Sequence, residues 1–138
     1  MMRTQKITIS GKEFELYYST KAMLDVEKRC GDTSELKEWL GGASTAGESF
    51  KRISGVLTDL INGAVYKHNA DISLGLCSGE KQTFFTDEQI IVLLSPAELI
   101  KYKDAIYGAI NAGLDYEIPE GITEPDPDLA DVESEKNV

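Results

Sequence analysis

Histidine is almost missing from this chain. His68 is the only one, which excludes HExxH, Cys/His zinc patterns and any site that needs two imidazoles. Cysteine is nearly as scarce: Cys30 and Cys77 stand far apart with no CxxC spacing. A redox or zinc motif therefore has no basis, and two reduced thiols, the usual cytosolic state, are expected. No apolar run approaches the ~20 residues a membrane helix needs. The first ten residues pass directly into strand-like alternation without the apolar centre of a signal peptide. The expected location is the cytoplasm, without a membrane partner.

Positive charge is also short. Against 24 Asp and Glu the chain carries 14 Lys and Arg, a net of −10. Residues 115–138 hold nine acidic residues and one lysine, a net of −8, which leaves −2 for residues 1–114. A nearly balanced body has no basic stripe to neutralise phosphates, and an acidic tail repels them, so nucleic acid is not an expected partner. The tail also holds three of the four prolines. With scattered apolar residues and many carboxylates it cannot offset its ordering entropy, and disorder is expected there. The 138 residues thus divide into one globular domain, 1–114, large enough for its own core, and an acidic tail, 115–138.

The most informative stretch is residues 14–31, FELYYSTKAMLDVEKRCG. Apolar and polar side chains alternate through Phe14, Glu15 and Leu16, then the spacing becomes helical, with Ala22, Met23, Val26 and Cys30 on one stripe. Ser19 or Thr20 can cap the new helix, and Gly31 suits the left-handed position that closes it. Upstream, Gln5 to Ile9 and residues 13–17 flank Ser10-Gly11-Lys12. A two-residue turn at Ser10-Gly11 sets Ile7 opposite Phe14 and Lys6 opposite Glu15, matching apolar with apolar and plus with minus. Ile7, Ile9, Phe14 and Leu16 then face the core.

Asp32 with Glu35 has the spacing of a capping box, opening a short helix edged by Leu36, Trp39 and Leu40 and stopped by Gly41-Gly42. Residues 48–69 carry the longest helical stripe, Phe50, Ile53, Leu57, Leu60, Ile61, Ala64 and Val65, with Arg52, Asp59 and Asn62 assigned to the opposite, polar side. Gly55 and Gly63 are costly inside a helix and suggest close packing. Residues 71–85 read as an irregular loop. Thr86 with Gln89 is a second capping box, for a helix with Ile90, Ile91, Leu93 and Leu94. Ser95, Pro96 and Glu98 mark a last helix with Leu99, Tyr102, Ile106 and Ile110 inward, ending near Gly113. The fold class expected is α+β, mainly α: an N-terminal hairpin packed on four to five helices.

Chemistry is hard to find. His68 reads as a capping or surface residue, because no GxSxG or similar nucleophile setting accompanies it. Gly75, Gly79, Lys81 and Thr83 lack the Walker spacing in which a lysine directly follows the second glycine. Glu13 and Glu15 share a strand face and read as the solvent side of a hairpin. Asp126, Asp128 and Asp131 lack the glycine and terminal glutamate of a calcium loop. Catalytic, metal and cofactor-binding residues are therefore not expected. Tyr18, Trp39, Phe84 and Phe85 are the candidate partner-binding residues, two of the four being expected at the surface.

Taken in order, ITISGKEFELYYSTKAMLDVEKRCGD, VLTDLINGAVYKHN and FFTDEQIIVLLSPAELIKYKDAIYGAI resemble the tail assembly chaperones of long-tailed bacteriophages and their prophage relatives, over roughly residues 5–113. The likeness lies in the hairpin, the aromatic-Ser/Thr junction into a helix with the Val26-Glu27 pair and a closing glycine, the central helix, the Thr-Asp-Glu helix and the Ser-Pro helix. It implies a mainly helical, non-enzymatic protein of the infected bacterial cytoplasm, not part of the mature virion. Such a protein binds the tape measure protein, keeps it soluble and helps recruit tail tube protein, with self-association or repeated binding. The family often makes a longer form by ribosomal frameshifting, for which an acidic C-terminal segment suits a hinge. Two other classes stand beside it: a small virion structural protein, such as a tail-completion or connector component, and an enzyme with a pocket around His68 or Glu27.

Overall fold

The computed structural model describes residues 4–115. It consists of a two-stranded antiparallel hairpin, β1 (Gln5–Ile9) and β2 (Lys12–Leu16), followed by five helices: α1 (Thr20–Cys30), α2 (Leu36–Gly41, entered through a 3-10 turn at Thr33–Glu35), α3 (Ala46–Ser73), α4 (Asp87–Leu93) and α5 (Pro96–Leu114). The mainly helical α+β architecture is as expected. The acidic tail lies outside the described residues, apart from Asp115.

The hairpin has the expected register, Ile7 opposite Phe14 and Lys6 opposite Glu15. Its turn needs left-handed backbone at both central positions, and Ser10 (φ 51°) and Gly11 (φ 81°) supply it. Ile7, Ile9 and Leu16 are buried, while Phe14 is half-buried against the core. Ser19, rather than Thr20, caps α1 by accepting from the Ala22 N–H at 3.1 Å. Gly31 closes that helix at φ 84°. Thr86 and Ser95 both form complete capping boxes, with Gln89 and Glu98 as the reciprocal partners. The Asp32 box does not form: Asp32 accepts from the Ser34 N–H and hydroxyl, each at 2.9 Å. The 3-10 turn gives the Glu35 N–H to the Asp32 carbonyl at 3.0 Å, which leaves the Asp32 carboxylate to Ser34.

The central helix departs most from its expected form. It runs 28 residues, Ala46–Ser73, taking in residues 71–73 of the expected loop. It is also buried on every side through residues 53–60. A single stripe facing one layer would have left Arg52, Asp59 and Asn62 in water. Instead α1, α4 and the segment before α4 cover Asp59 and Asn62 and α2 covers Arg52 through Trp39, so Asp59 is only 7% exposed and Arg52 and Asn62 are half-buried. Burial is tolerated there because small or paired groups occupy it. Thr58 Oγ1 donates to the Ser54 carbonyl at 2.7 Å, and Asp59 is bound by Arg29.

Two glycines on α3 set the approach of its neighbours. A Cβ at Gly63 would collide with the Tyr17 carbonyl oxygen and crowd Ala22. Gly63 is therefore where the end of β2 and the start of α1 pass over the helix backbone, and there the Tyr17 N–H donates to the Leu60 carbonyl at 3.0 Å. A Cβ at Gly55 would strike the Arg29 guanidinium. That guanidinium forks onto two carboxylates, donating to Asp59 at 2.6 and 3.0 Å and to Asp87 at 2.7 and 2.9 Å. Burial alone would lower the Arg29 pKa, but the two carboxylates outweigh it and hold the cation well above the usual arginine range. Burial pushes the Asp59 carboxyl up, and the bonds from Arg29 pull against that rise.

Gly63→Ala should cost about 2 kcal/mol in urea unfolding, because overpacking against backbone exceeds the ~1 kcal/mol gain in helix propensity. Gly41→Ala, with no atom within 4 Å, should be neutral or mildly stabilising by the same measurement.

Arg29→Met should cost about 3 kcal/mol at neutral pH, at the lower end for breaking a buried pair because Asp87 stays partly in water. The variant's Asp59 pKa, already raised by burial, rises further above its unfolded value. The carboxylate then costs stability above the folded pKa, and protonation relieves that cost as pH falls through it. Unfolding at pH 7 and pH 5 should show the gap between variant and parent narrowing at the lower pH.

Candidate functional site: two open surfaces

The segment before α4 is fastened to α3 by a ladder that the sequence reading missed. Asn62 donates to the Phe85 carbonyl and accepts from the Phe85 N–H, both at 2.8 Å. Asn69 does the same for Gln82, at 3.0 and 2.8 Å. His68 Nε2 bonds to the Glu80 carbonyl at 2.8 Å. A carbonyl only accepts, so Nε2 carries the proton. The geometry closes arithmetically: seven helical residues rise about 10.5 Å, and three extended residues span about 10 Å. Two carboxamides spaced i, i+7 therefore meet backbone amides spaced i, i+3. The signal was present as Asn62 and Asn69 on one helix face, but nothing local named their partners.

That ladder builds one wall of a cleft of ≈ 780 Å³, a volume in the usual range of binding clefts. Lys81, Gln82, Thr83 and Phe85 form the wall, β2 forms the other through Glu13 and Glu15, and Ile61 and Val65 of α3 lie between them. Phe14 and Phe85 meet edge to face at 5.2 Å. His68 lines the cleft, but its Nε2 is committed to the Glu80 carbonyl. Glu27 does not line it.

The second surface is apolar. On α4, Ile90 points inward at 0% exposure, whereas the next three residues face water: Ile91 at 39%, Val92 at 73% and Leu93 at 42%. Ile100 on α5 adds a further exposed side chain. A helical turn that is apolar all round ordinarily has neighbours all round, and residues 90–93 of α4 have them on one side. Beside it lies a groove of ≈ 340 Å³ lined by Phe50, Ser54, Ile91, Leu94, Pro96 and Leu99. The buried Ser54 hydroxyl has no hydrogen-bond partner among the described residues.

The four candidate aromatics do not form one patch. Tyr18 is 5% exposed and belongs to the core: α5 packs onto it so closely that a Cβ at Gly113 would lie 2.6 Å from its carbonyl oxygen. It is removed from the candidate surface, and burial raises its phenol pKa. Trp39 is half-buried under the Arg52 guanidinium, 4.8 Å from its ring centroid. Phe85 is half-buried beside Phe14. Phe84 alone of the four is exposed, where two were expected, and its ring packs at a tilt on Tyr66, 4.5 Å between centroids, whose ring also receives Lys21 at 5.1 Å. Sequence reasoning placed Ile91 and Leu93 on this helix without saying which side they face and passed over Val92, so the apolar ridge on α4 was not anticipated.

Among the described residues no group of three or more His, Cys, Asp or Glu is placed to hold a metal ion, and no helix is long and apolar enough to cross a membrane. Cys30 and Cys77 are both free. No protein-family model, curated protein or solved structure matches the chain.

Asn62→Ala strips both bonds from Phe85 and should cost about 2 kcal/mol. Asn69→Ala, at an exposed site, should cost less than about 1 kcal/mol. Amide exchange distinguishes them: the first should accelerate at Phe85 and the second at Gln82, with the α3 interior unchanged in the second.

Proposed function

We propose that this chain is a tail assembly chaperone of a long-tailed phage or prophage, which binds the tape measure protein, keeps it soluble and helps recruit tail tube subunits. The sequence resemblance suggests the family. The observation that carries the physical reading is the α4 ridge, Ile91, Val92 and Leu93, beside an apolar groove. An extended helical client presents apolar stripes at i, i+3, i+4 and i+7, and such stripes seat on apolar ridges and grooves. Single contacts of this size are weak. Many copies along one long client act together through multivalency, and self-association of the chaperone would reinforce them. Net negative charge keeps the coated client dispersed. The activity proposed is binding without catalysis, in the bacterial cytoplasm and not in the finished particle.

Co-expression with a tape measure protein from the same genome, followed by size-exclusion chromatography, tests the reading. The client should elute in a soluble complex that is lost without this chain. Val92→Asp, at a position 73% exposed, should leave the fold intact and weaken the complex at least about tenfold. A client that stays insoluble while this protein elutes alone would remove the chaperone reading. Recovery of the chain in purified virions would assign it to the particle as a tail-completion or connector component.

A further inference from the structure

The two edges of the hairpin have different surroundings: α5 packs on β1 and bonds its edge at Thr8, whereas a cleft opens beside β2. A two-residue turn makes Ile9 and Lys12 a hydrogen-bonded pair. Alternation then makes Ile7–Phe14 and Gln5–Leu16 bonded pairs, while Thr8–Glu13 and Lys6–Glu15 turn their N–H and C=O groups outward. On β1 the outward carbonyl of Thr8 is taken by the Tyr102 hydroxyl of α5. On β2 the next outward N–H, that of Tyr17, is taken by Leu60 of α3. The two donors and two acceptors of Glu13 and Glu15 make no such bond among the described residues, and both residues line the ≈ 780 Å³ cleft. An unpaired strand edge beside an apolar floor is the geometry of strand addition.

We infer that the open edge of β2 receives an extended peptide segment of a partner protein, one that alternates basic and apolar residues. Charge selects that occupant. Glu13 and Glu15 share the solvent face of β2, so an added strand places its own solvent-facing residues beside two carboxylates. Glu13 is only loosely matched by Lys6 at 3.5 Å, both side chains being more than half exposed. Lys or Arg there gains cross-strand pairing, whereas Asp or Glu is repelled. The same rule disfavours a second copy: β2 against β2 about Phe14 sets Glu13 opposite Glu15 in both directions. It equally disfavours this chain's own acidic residues 116–138. The inward side chains of the guest fall opposite Phe14 and over Ile61 and Val65, which asks for valine, isoleucine or leucine. Of the cations lining the cleft, Lys67 is held by Asp71 at 2.8 Å and Lys12 lies over the Phe14 ring at 5.5 Å. Lys81 stands on the opposite wall. This site is separate from the α4 ridge, so it stands or falls independently of the chaperone reading.

The test uses the full chain and an acetylated, amidated octapeptide alternating lysine with valine, with amide exchange at Glu13 and Glu15 as the readout. At about ten times Kd the peptide should slow both amides about tenfold. The glutamate-valine counterpart should bind about fivefold more weakly, the size of effect two cross-strand charge pairs carry. A lysine-valine peptide N-methylated on the amides that face β2 should not protect them. The double variant Glu13→Lys, Glu15→Lys changes only the solvent face and should reverse the charge preference. Unchanged exchange at Glu13 and Glu15 with the lysine peptide overturns the proposal. So does protection in the chain alone: independent of concentration it assigns the edge to the chain itself, and rising with concentration it assigns it to a second copy.

Discussion

Arg29 reaches from the last turn of α1 across Gly55, where the missing Cβ leaves room for a planar guanidinium, and forks onto Asp59 of α3 and Asp87 at the start of α4. Five N–H donors in a rigid fork can serve two carboxylates at once; an ammonium group could not hold both in fixed geometry. The cost of burying the Asp59 carboxylate on α3 is offset by Arg29, and Asp87 shares the same cation. Three helices that share few local signals are thereby held in one arrangement, and α4 is fixed with Ile90 inward and its next three residues outward.

The fold depends on α3 having no free side through its middle. A helix that faced one layer could shed the segment before α4 without loss, and α4 would then have no fixed place. Because α1, β2, α4 and α5 all pack against α3, its polar residues become connectors. Asp59 receives Arg29 and Asn62 and Asn69 receive the segment before α4, whereas the Ser54 hydroxyl, beside an apolar groove, has no partner among the described residues. Each connector helps define one of the two open surfaces.

Those surfaces differ in the physics they offer. The α4 ridge presents apolar area with little directional bonding, which suits a client recognised by pattern over length. The β2 edge presents two N–H and two C=O groups in a row beside two carboxylates, which suits a short extended segment recognised by register and charge. One small domain carrying both could hold a long client along one face while engaging a second protein at the other.

Local order was determined by the sequence itself. The hairpin register, the Ser19, Thr86 and Ser95 caps and the glycine after α1 each depend on residues within a few positions of one another, and an oxygen three residues from an N–H needs no tertiary help to find it. Only the tertiary structure decided the rest. Arg29 finds its partners 30 and 58 residues away, and Asn62 finds Phe85 at a separation of 23. Whether Tyr18 or Val92 meets water depends on which element covers it. Periodicity identifies a helix's apolar stripe, but a polar residue off that stripe is equally compatible with water or with a buried partner. Only the packing of α1, α4 and α5 around α3 distinguishes the two, because only there does a distant charge or amide come within bonding distance.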